Sequence, residues 1–408
     1  MNIVVQKYGG TSVESVQRIK SAADHIKQTY ESGKSLIVVV SAMGSHTDEL
    51  LKLAYEMSPH PSGREVDMLL SAGERVTMAL LSIALHKLGI DSVSLTGSQC
   101  GILTDGVHGN AKIKKILGDR IRQGLENKKV VIVAGFQGVN PETKEITTLG
   151  RGGSDLTAVA LSAAMGAEVC ELYKDVPGVM TADPRSVSSA KLIGSLSYPL
   201  MKTLASMGAG VIHYRSIHLA QKYGIPIVIR SSHDLEAKGT TITKDIGNSK
   251  VESPEVTALT SQKALCHLQL KYQGQNSRGL ALADALKACW AKGVVPAISR
   301  QASHKTTTIV DVFIPQEKAE EILMVFAKQE RSEKLKLESH RFLDSDLSSL
   351  SIVGKGFLQS PEVIEEISKE LDCPRVIAMQ VNDDSLNYIF DKLDLRIEME
   401  DIHKKFIN

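Results

Sequence analysis

The chain has 408 residues, 42% hydrophobic and 23% charged, with a formal net charge of +1. That length exceeds one ordinary hydrophobic core, so two or three domains are expected. The near-neutral charge gives no footprint for nucleic acid. No run approaches the roughly 20 apolar residues of a membrane helix, and none reads as a signal core, since residues 1–7 pass straight into a strand pattern. The cysteines (Cys100, Cys170, Cys266, Cys289, Cys373) are scattered, with no Cys-x-x-Cys pair. They argue against a disulfide framework or a zinc site and fit a reducing, cytoplasmic setting.

Residues 3–6 read as a buried strand and Lys7-Tyr8-Gly9-Gly10-Thr11-Ser12 as a loop. Thr11 and Glu14 have capping-box spacing, which places a helix start there, running to residue 31. Strand, glycine loop and helix make an anion cradle with a lysine at its mouth. It is not a Walker loop, because no G-x-x-x-x-G-K-[ST] occurs. A tight turn with a solvated Lys7 is the plain alternative. A second buried strand spans 35–40 and ends in Ser41-Ala42-Met43-Gly44. A helix begins near Thr47, and a long helix is expected over 65–87 with Glu74 inside it, by pattern an exposed position rather than a ligand contact. Strands at 92–95 and 130–134 bracket a helix at 112–125. Continuous apolar strands alternating with helices predict a parallel sheet covered on both faces. Ligands on such sheets gather at the carboxyl ends of the strands, where Lys7, Ser41 and Gly44 lie.

In Leu149-Gly150-Arg151-Gly152-Gly153-Ser154-Asp155 three glycines surround one arginine, and Ser154 is the expected cap of a helix over 155–165. Glycine admits positive φ and close approach to the main chain. A helix start favours anions, and a guanidinium fork suits a carboxylate or a phosphate. A glycine turn with an ordinary cap is an equally good local reading. A strand at 168–173 feeds an irregular polar segment, 174–185, at another strand end; a helix at 200–207 and a strand at 225–230 follow. Composition shifts at 245–254, the expected domain boundary. Beyond it, strands at 256–259, 264–270 and 306–314 with helices at 280–292 and 317–329 form one small unit. A weaker copy has strands at 348–353, 376–380 and 387–390 and helices at 361–371 and from 394. Such β-α-β-β units read as ferredoxin-like modules.

Three stretches, Lys7 to Ser12, Leu149 to Asp155 and Thr181-Ala182-Asp183-Pro184-Arg185, resemble in this order the signatures of the aspartate kinases within the amino-acid kinase family. The resemblance covers residues 1–245; more loosely, the last third resembles paired ACT modules. It implies an α/β fold: an αβα sandwich with a mainly parallel sheet at 1–245, then two small ferredoxin-like α+β modules at 254–340 and 346–408. It implies transfer of the γ-phosphoryl group of ATP to the β-carboxylate of L-aspartate, giving 4-phospho-L-aspartate, the first step toward lysine, threonine and methionine. Lys7 and Asp155 would be catalytic, with Asp155 orienting Lys7. Lys7, Tyr8, Gly9, Gly10 and Ser41 would hold the phosphates, and Tyr173, Lys174, Val179, Met180, Asp183 and Arg185 would form the nucleotide pocket. Thr47, Glu74 and Arg151 would bind aspartate, Arg151 on its α-carboxylate and Glu74 near its ammonium, with Gly152, Gly153 and Ser154 adding backbone contacts. Magnesium would travel with ATP, held mainly by phosphates and water, with no protein ligand named. A lysine or threonine effector, and a homodimer or larger oligomer through the ACT-like region, are further implications.

The chemistry suits these residue types. Phosphoryl transfer asks for positioning and charge neutralisation, and a carboxylate nucleophile is already ionised at neutral pH, so no histidine base is required. The chain also departs from the family. Gly210 stands where a phosphate-contacting lysine is usual, Lys174 where a small hydroxyl is usual and Met180 where tyrosine is usual; residues 273–279 and Ala302 alter the usual effector pocket. Lys174 either replaces the missing lysine or is solvated at the rim. Two other functions stay open: a kinase for glutamate or acetylglutamate, and an amino-acid sensor without turnover.

Overall fold

The computed structural model describes residues 1–235, 237–244, 255–274, 277–304, 306–328, 336–371, 374–391 and 394–407. The expected boundary at 245–254 and part of the 273–279 turn lie outside the described residues. The chain forms two compact units. One comprises Met1–Val179, Leu192–Met201 and Val211–Gly247; the other comprises Met180–Lys191, Lys202–Gly210 and Asn248–Asn408.

In chain order the first unit opens with β1 (Ile3–Tyr8), α1 (Val16–Glu31), β2 (Ser35–Val40), α2 (His46–Met57), α3 (Gly63–Leu70), α4 (Ala72–Lys87) and β3 (Ser92–Leu95). After these come β4 (Ile102–Thr104), β5 (Ile113–Ile116), α5 (Asp119–Glu126), β6 (Val130–Ala134), β7 (Gln137–Val139), β8 (Ile146–Thr148), α6 (Gly153–Met165) and β9 (Val169–Lys174). β10 (Ser195–Ser197), α7 (Tyr198–Ser206), α8 (Tyr214–Tyr223), β11 (Ile227–Ser231) and β12 (Thr240–Thr243) follow, with α7 ending in the second unit. Eight strands form one sheet in the order β10-β12-β11-β9-β1-β2-β6-β3, parallel throughout except between β11 and β12.

The strands are apolar on both sides because both faces are covered. Leu36, Val38 and Val40 of β2 and Val130, Ile132 and Ala134 of β6 pack on Ile19, Ala22, Ala23 and Ile26 of α1 and Met78, Leu81 and Leu85 of α4. The alternate residues meet α6 and α5; Gly124 of α5 is small enough for Val131 to reach its backbone. Gly63–Lys87 is long and apolar enough to cross a membrane by length and composition, but half of it is buried in this core.

Three local expectations give way to competing partners, and one helix has no signal in the sequence. The Thr11–Glu14 box does not form: Gly10–Val13 is a 3-10 turn, and α1 is capped by Ser15, whose Oγ accepts from Arg18 N at 3.2 Å. The single helix over 65–87 breaks at Ser71, whose carbonyl accepts from Gln137 Nε2 at 3.0 Å. Residues 113–116 pair with β4 instead of joining a helix, and a separate sheet results in the order β5-β4-β7-β8. α8 carries no cap signal in the sequence, since its cap is His213 rather than a Ser, Thr, Asp or Asn.

The second unit carries β13 (Glu255–Gln273), α9 (Ser277–Ala291), β14 (Ile298–His304), β15 (Thr307–Pro315), α10 (Ala319–Lys328) and β16 (Lys336–Lys355). These lead to α11 (Pro361–Leu371), β17 (Val376–Val381), β18 (Ser385–Phe390) and α12 (Arg396–Phe406). Its sheet order is β14-β15-β13-β16-β18-β17. The strands expected at 256–259 and 264–270 are one long strand with a register shift between Gln262 and Leu265, where Ala264 takes φ +53°. Residues before the shift pair with the end of β16, and those after it with the start. Two cores therefore share one sheet: Leu268, Leu270 and Tyr272 lie with α9 and α10, and Leu259, Leu350 and Ile352 with α11 and α12. One α+β layer is thus threaded into the other rather than simply preceding it.

Candidate active site

The carboxyl ends of β1 and β9 are neighbours in the sheet, with Lys7 opposite Leu172 and Tyr8 opposite Tyr173. From these ends Lys7 and Lys174 converge on Asp155 in the first turn of α6. Lys7 Nζ lies 2.9 Å from Oδ1 and Lys174 Nζ 2.6 Å from Oδ2. Asp155 is 4% exposed and Lys7 5%. Burial alone would raise the Asp155 pKa, but the two ammoniums outweigh it and hold the carboxyl well below its ordinary range. Burial likewise pushes the Lys7 pKa down, reinforced by Lys174 and opposed by Asp155. Two buried cations on one anion leave a net positive charge, the balance required where a polyanion is to bind. Lys174 is not solvated at a rim: its side chain is 16% exposed and committed to Asp155.

The two glycine loops close over this pair. Gly9 N donates to Tyr173 O at 3.2 Å. A Cβ on Gly10 would lie 3.1 Å from Gly44 O and 3.2 Å from Ala42 O, so a side chain there would push these backbones apart by a few tenths of an ångström. Ser41 N donates to Tyr8 O, which sets Ser41 at the same rim. A Cβ on Gly73 would strike Ala42 Cβ at 2.7 Å. That close approach of α4 puts Glu74 Oε1 on Ala42 N at 3.2 Å. Glu74 is 2% exposed, not the surface residue its helical pattern predicts. Burial pushes its pKa up to about 7, against the pull of its own N–H, Ala42 N–H and the Lys7 charge. Its Oε2 has no hydrogen-bond partner among the described residues. A buried carboxylate oxygen left open beside the lysine pair is a ready acceptor for a ligand cation or N–H.

On the third side, Gly150 and Gly152 have φ +78° and +70°, and α6 starts on Gly152, not on Ser154, which is buried inside the first turn. Cβ atoms at Gly152 and Gly153 would strike His213 at 2.5 Å and Phe136 at 2.8 Å. Phe136 itself takes φ +68°, a costly conformation for a bulky residue; its N–H is held by Thr157 Oγ1. Arg151, presented by this loop, is exposed and makes no hydrogen bond or ion pair with the described residues. Beneath the loop, fully buried Asp67 accepts from Thr148 Oγ1, from Gly109 N and, at 2.7 Å, pairs with His108 Nδ1.

The remaining expected residues are placed differently. Tyr8 and Tyr173 are each 1% exposed and stack at 4.9 Å, with hydroxyls on His25 and Glu171. Their rings belong to the core, so only their backbones can meet a ligand. Val179 is buried and its N–H bonds Thr240 Oγ1. Thr47 is half-buried in the first turn of α2. Met180, Asp183 and Arg185 belong to the second unit, where Arg185 grips Asp183 through Nε at 3.0 Å and Nη2 at 2.8 Å. Gly210 lies in that unit too, with φ +66°, and a Cβ there would meet only Gly208 O, at 3.8 Å. Glu74 carried too weak a pattern signal to be placed in the site from the residues alone, and Asp67, Phe136, His213 and Arg215 carried none.

The sequence model of the amino acid kinase family matches residues 2–231. The chain belongs to the amino acid kinase family. Within that family its relatives are aspartokinases: the Geobacillus stearothermophilus protein is 39% identical over 416 aligned positions, covering 100% of this chain and 97% of the relative. Aspartokinase 2 of Bacillus subtilis (strain 168) is 40% identical, covering 100% and 98%. Among solved structures, Escherichia coli aspartokinase III in complex with aspartate and ADP superposes with a TM-score of 0.80 at 22% identity, covering all of both chains. Clostridium acetobutylicum aspartate kinase superposes at 0.68 and 19%, again over both whole chains. At those identities the structures speak to the fold, which they share from end to end.

Proposed function

We propose that this chain is an aspartate kinase, transferring the γ-phosphoryl group of MgATP to the β-carboxylate of L-aspartate and releasing ADP and 4-phospho-L-aspartate. The observation that carries this reading is the buried Lys7–Asp155–Lys174 cluster, with the open Glu74 carboxylate near it and the unpaired Arg151 on the adjoining loop. A β-carboxylate oxygen attacks the γ-phosphorus as the bond to the bridging oxygen of ADP breaks. The nucleophile is already ionised, so no proton has to be removed. Lys7 neutralises charge growing on the phosphoryl oxygens, Asp155 holds Lys7 in place, and Lys174 adds a second point charge on the nucleotide side. Gly9, Gly10 and Ser41 line the phosphates. Glu74 accepts the substrate ammonium and Arg151 the α-carboxylate, with Thr47 and the backbone of Gly152, Gly153 and Ser154 around them. Magnesium enters with the nucleotide. Among the described residues no three His, Cys, Asp or Glu side chains converge into a metal cage, and magnesium readily keeps phosphate oxygens and waters as ligands.

The test is ADP release with aspartate, glutamate or acetylglutamate as acceptor. The reading requires turnover with aspartate well above the other two; release with none would make the chain a binding protein. Arg151→Lys is expected to raise KM for aspartate while leaving KM for ATP near the parent value, because an ammonium cannot reproduce a bidentate fork. If only the ATP value rises, Arg151 serves the nucleotide.

In this reading residues 1–245 are catalytic and the modules at 254–340 and 346–408 are regulatory, and the product serves lysine, threonine and methionine synthesis. Inhibition by lysine or threonine is weak, given the altered 273–279 turn and Ala302; titrating each under subsaturating aspartate checks this. The ACT-like region joins two or more copies, so a chain ending near Lys244 should associate less in sedimentation than the full chain. Cys100, Cys170, Cys266 and Cys289 are free and buried, as suits a reducing cytoplasm, and cell fractionation tests that location.

A further inference from the structure

The start of α8 touches the arginine loop at two points that no part of the proposed chemistry uses. Arg215 spreads its guanidinium over three backbone or amide oxygens: Nη1 donates to Leu149 O at 2.6 Å and Asn110 Oδ1 at 3.0 Å, and Nη2 donates to Ala111 O at 2.8 Å. Leu149 is the residue immediately before Gly150, and Ala111 N donates in turn to Thr148 O at 2.9 Å. One side chain therefore ties the strand end at 148–149 to the 109–111 turn. Two residues earlier, His213 caps α8, its Nδ1 accepting from Arg215 N, and its Cβ fills the space that a side chain on Gly152 would need. The loop is pinned just before Gly150 by Arg215 and confined at Gly152 by His213. Between them Arg151 stands exposed, without a hydrogen bond or ion pair to the described residues.

We infer that Arg215 is a positioning residue for substrate carboxylate binding: it sets the direction of Arg151 by fastening the loop that bears it. This rests on the reading of Arg151 as the aspartate α-carboxylate site. A loop whose glycines adopt positive φ has many accessible shapes, and a site that must meet a carboxylate bidentately needs one of them already populated. The three bonds go to neutral oxygens, so the guanidinium acts here through its fork geometry, which lysine cannot copy. Burial lowers the Arg215 pKa somewhat, opposed by Tyr214 and Asp105, which accords with its place beneath the loop.

The test compares Arg215→Ala and Arg215→Lys with the parent in the full chain. For Arg215→Ala, KM for aspartate should rise about tenfold, what loss of one to two net hydrogen bonds gives, while KM for ATP stays within about twofold. Arg215→Lys, which keeps the charge but not the planar fork, should fall between parent and alanine; should the alanine variant fail to fold, the lysine variant carries the test. Amide exchange in peptides covering 149–153 should speed up in both variants, and this readout needs no turnover. Unchanged exchange, an aspartate KM at the parent value, or equal rises in both KM values would overturn the inference. A parent without aspartate-dependent ADP release, with exchange at 149–153 still quickened by the substitutions, would sink the functional reading and leave the fastening intact.

Discussion

Lys7→Ala is expected to lower turnover by about 10²–10³ with the fold retained, the cost of losing one preorganised charge aimed at developing negative charge. Removing one partner of a buried ion pair usually destabilises by several kcal/mol, because the other charge is left alone. Here it is not left alone. Asp155 keeps Lys174 at 2.6 Å after Lys7 is gone. The substitution therefore separates catalysis from stability in a way that Asp155→Ala, which would strand two buried ammoniums, does not. The measurement is kcat beside the thermal midpoint. A variant keeping more than about half the parent kcat would falsify the role of Lys7. A variant that unfolds would show instead that Lys174 cannot hold Asp155 by itself.

The layered architecture was legible because it is written in local runs. Residues 36–40 and 130–134 are unbroken apolar stretches, and both fall in strands paired on either side within the sheet. What escaped depends on partners distant in sequence. Residues 113–116 have an ambiguous period and became a strand because residues 102–104 offer an edge. Capping was misread twice in one manner. Thr11 and Ser154 are good caps by type, but the chain enters each helix elsewhere: at Ser15, and on Gly152 at positive φ. The second unit read as tandem copies because its strands recur at similar spacing. Periodicity carries no sign that β13 and β16 each run through both layers.

The site follows the same division. Lys7, the two glycine loops, Arg151 and Asp155 sit in short motifs whose composition suits an anion, and from the adjoining ends of β1 and β9 Lys7 and Lys174 meet on Asp155. Glu74 was hidden because a helical pattern shows which face is apolar, not which polar residue is drawn inward. The signal that could have raised it is its neighbour: Gly73 inside a helix costs about 1 kcal/mol against alanine, so its presence points to a close approach of something on that side. Arg215 and Asp67 act through backbone and side-chain groups of segments distant in sequence, and nothing local marks such a partner.

Glu74→Gln should make the protein more stable and the enzyme worse, with both effects governed by pH. The carboxyl titrates at about 7 in the folded chain against an ordinary 4.5, because burial disfavours its anion. Between those values the folded state binds more protons than the unfolded one, so this group's contribution to stability falls as pH rises from about 4.5 and is fully lost above about 7. The shift corresponds to about 3 kcal/mol. Glutamine keeps an oxygen for the Ala42 N–H and never ionises. Its advantage over the parent should therefore be near zero at pH 4.5, grow through the window, and level off at about 3 kcal/mol above pH 7. The catalytic effect has the opposite sign. If the anion receives the substrate ammonium, parent KM for aspartate rises as pH falls below 7, while the glutamine variant is poor at every pH, by about 10²-fold at pH 8 for a lost buried charge pair of roughly 3 kcal/mol. Unfolding curves and aspartate KM values at pH 5.5, 7 and 8 decide the matter. Parallel stability curves would mean that Glu74 is solvated in the folded chain, and an unchanged KM would move the ammonium site elsewhere. Both results together would leave the open Oε2 atom without a function.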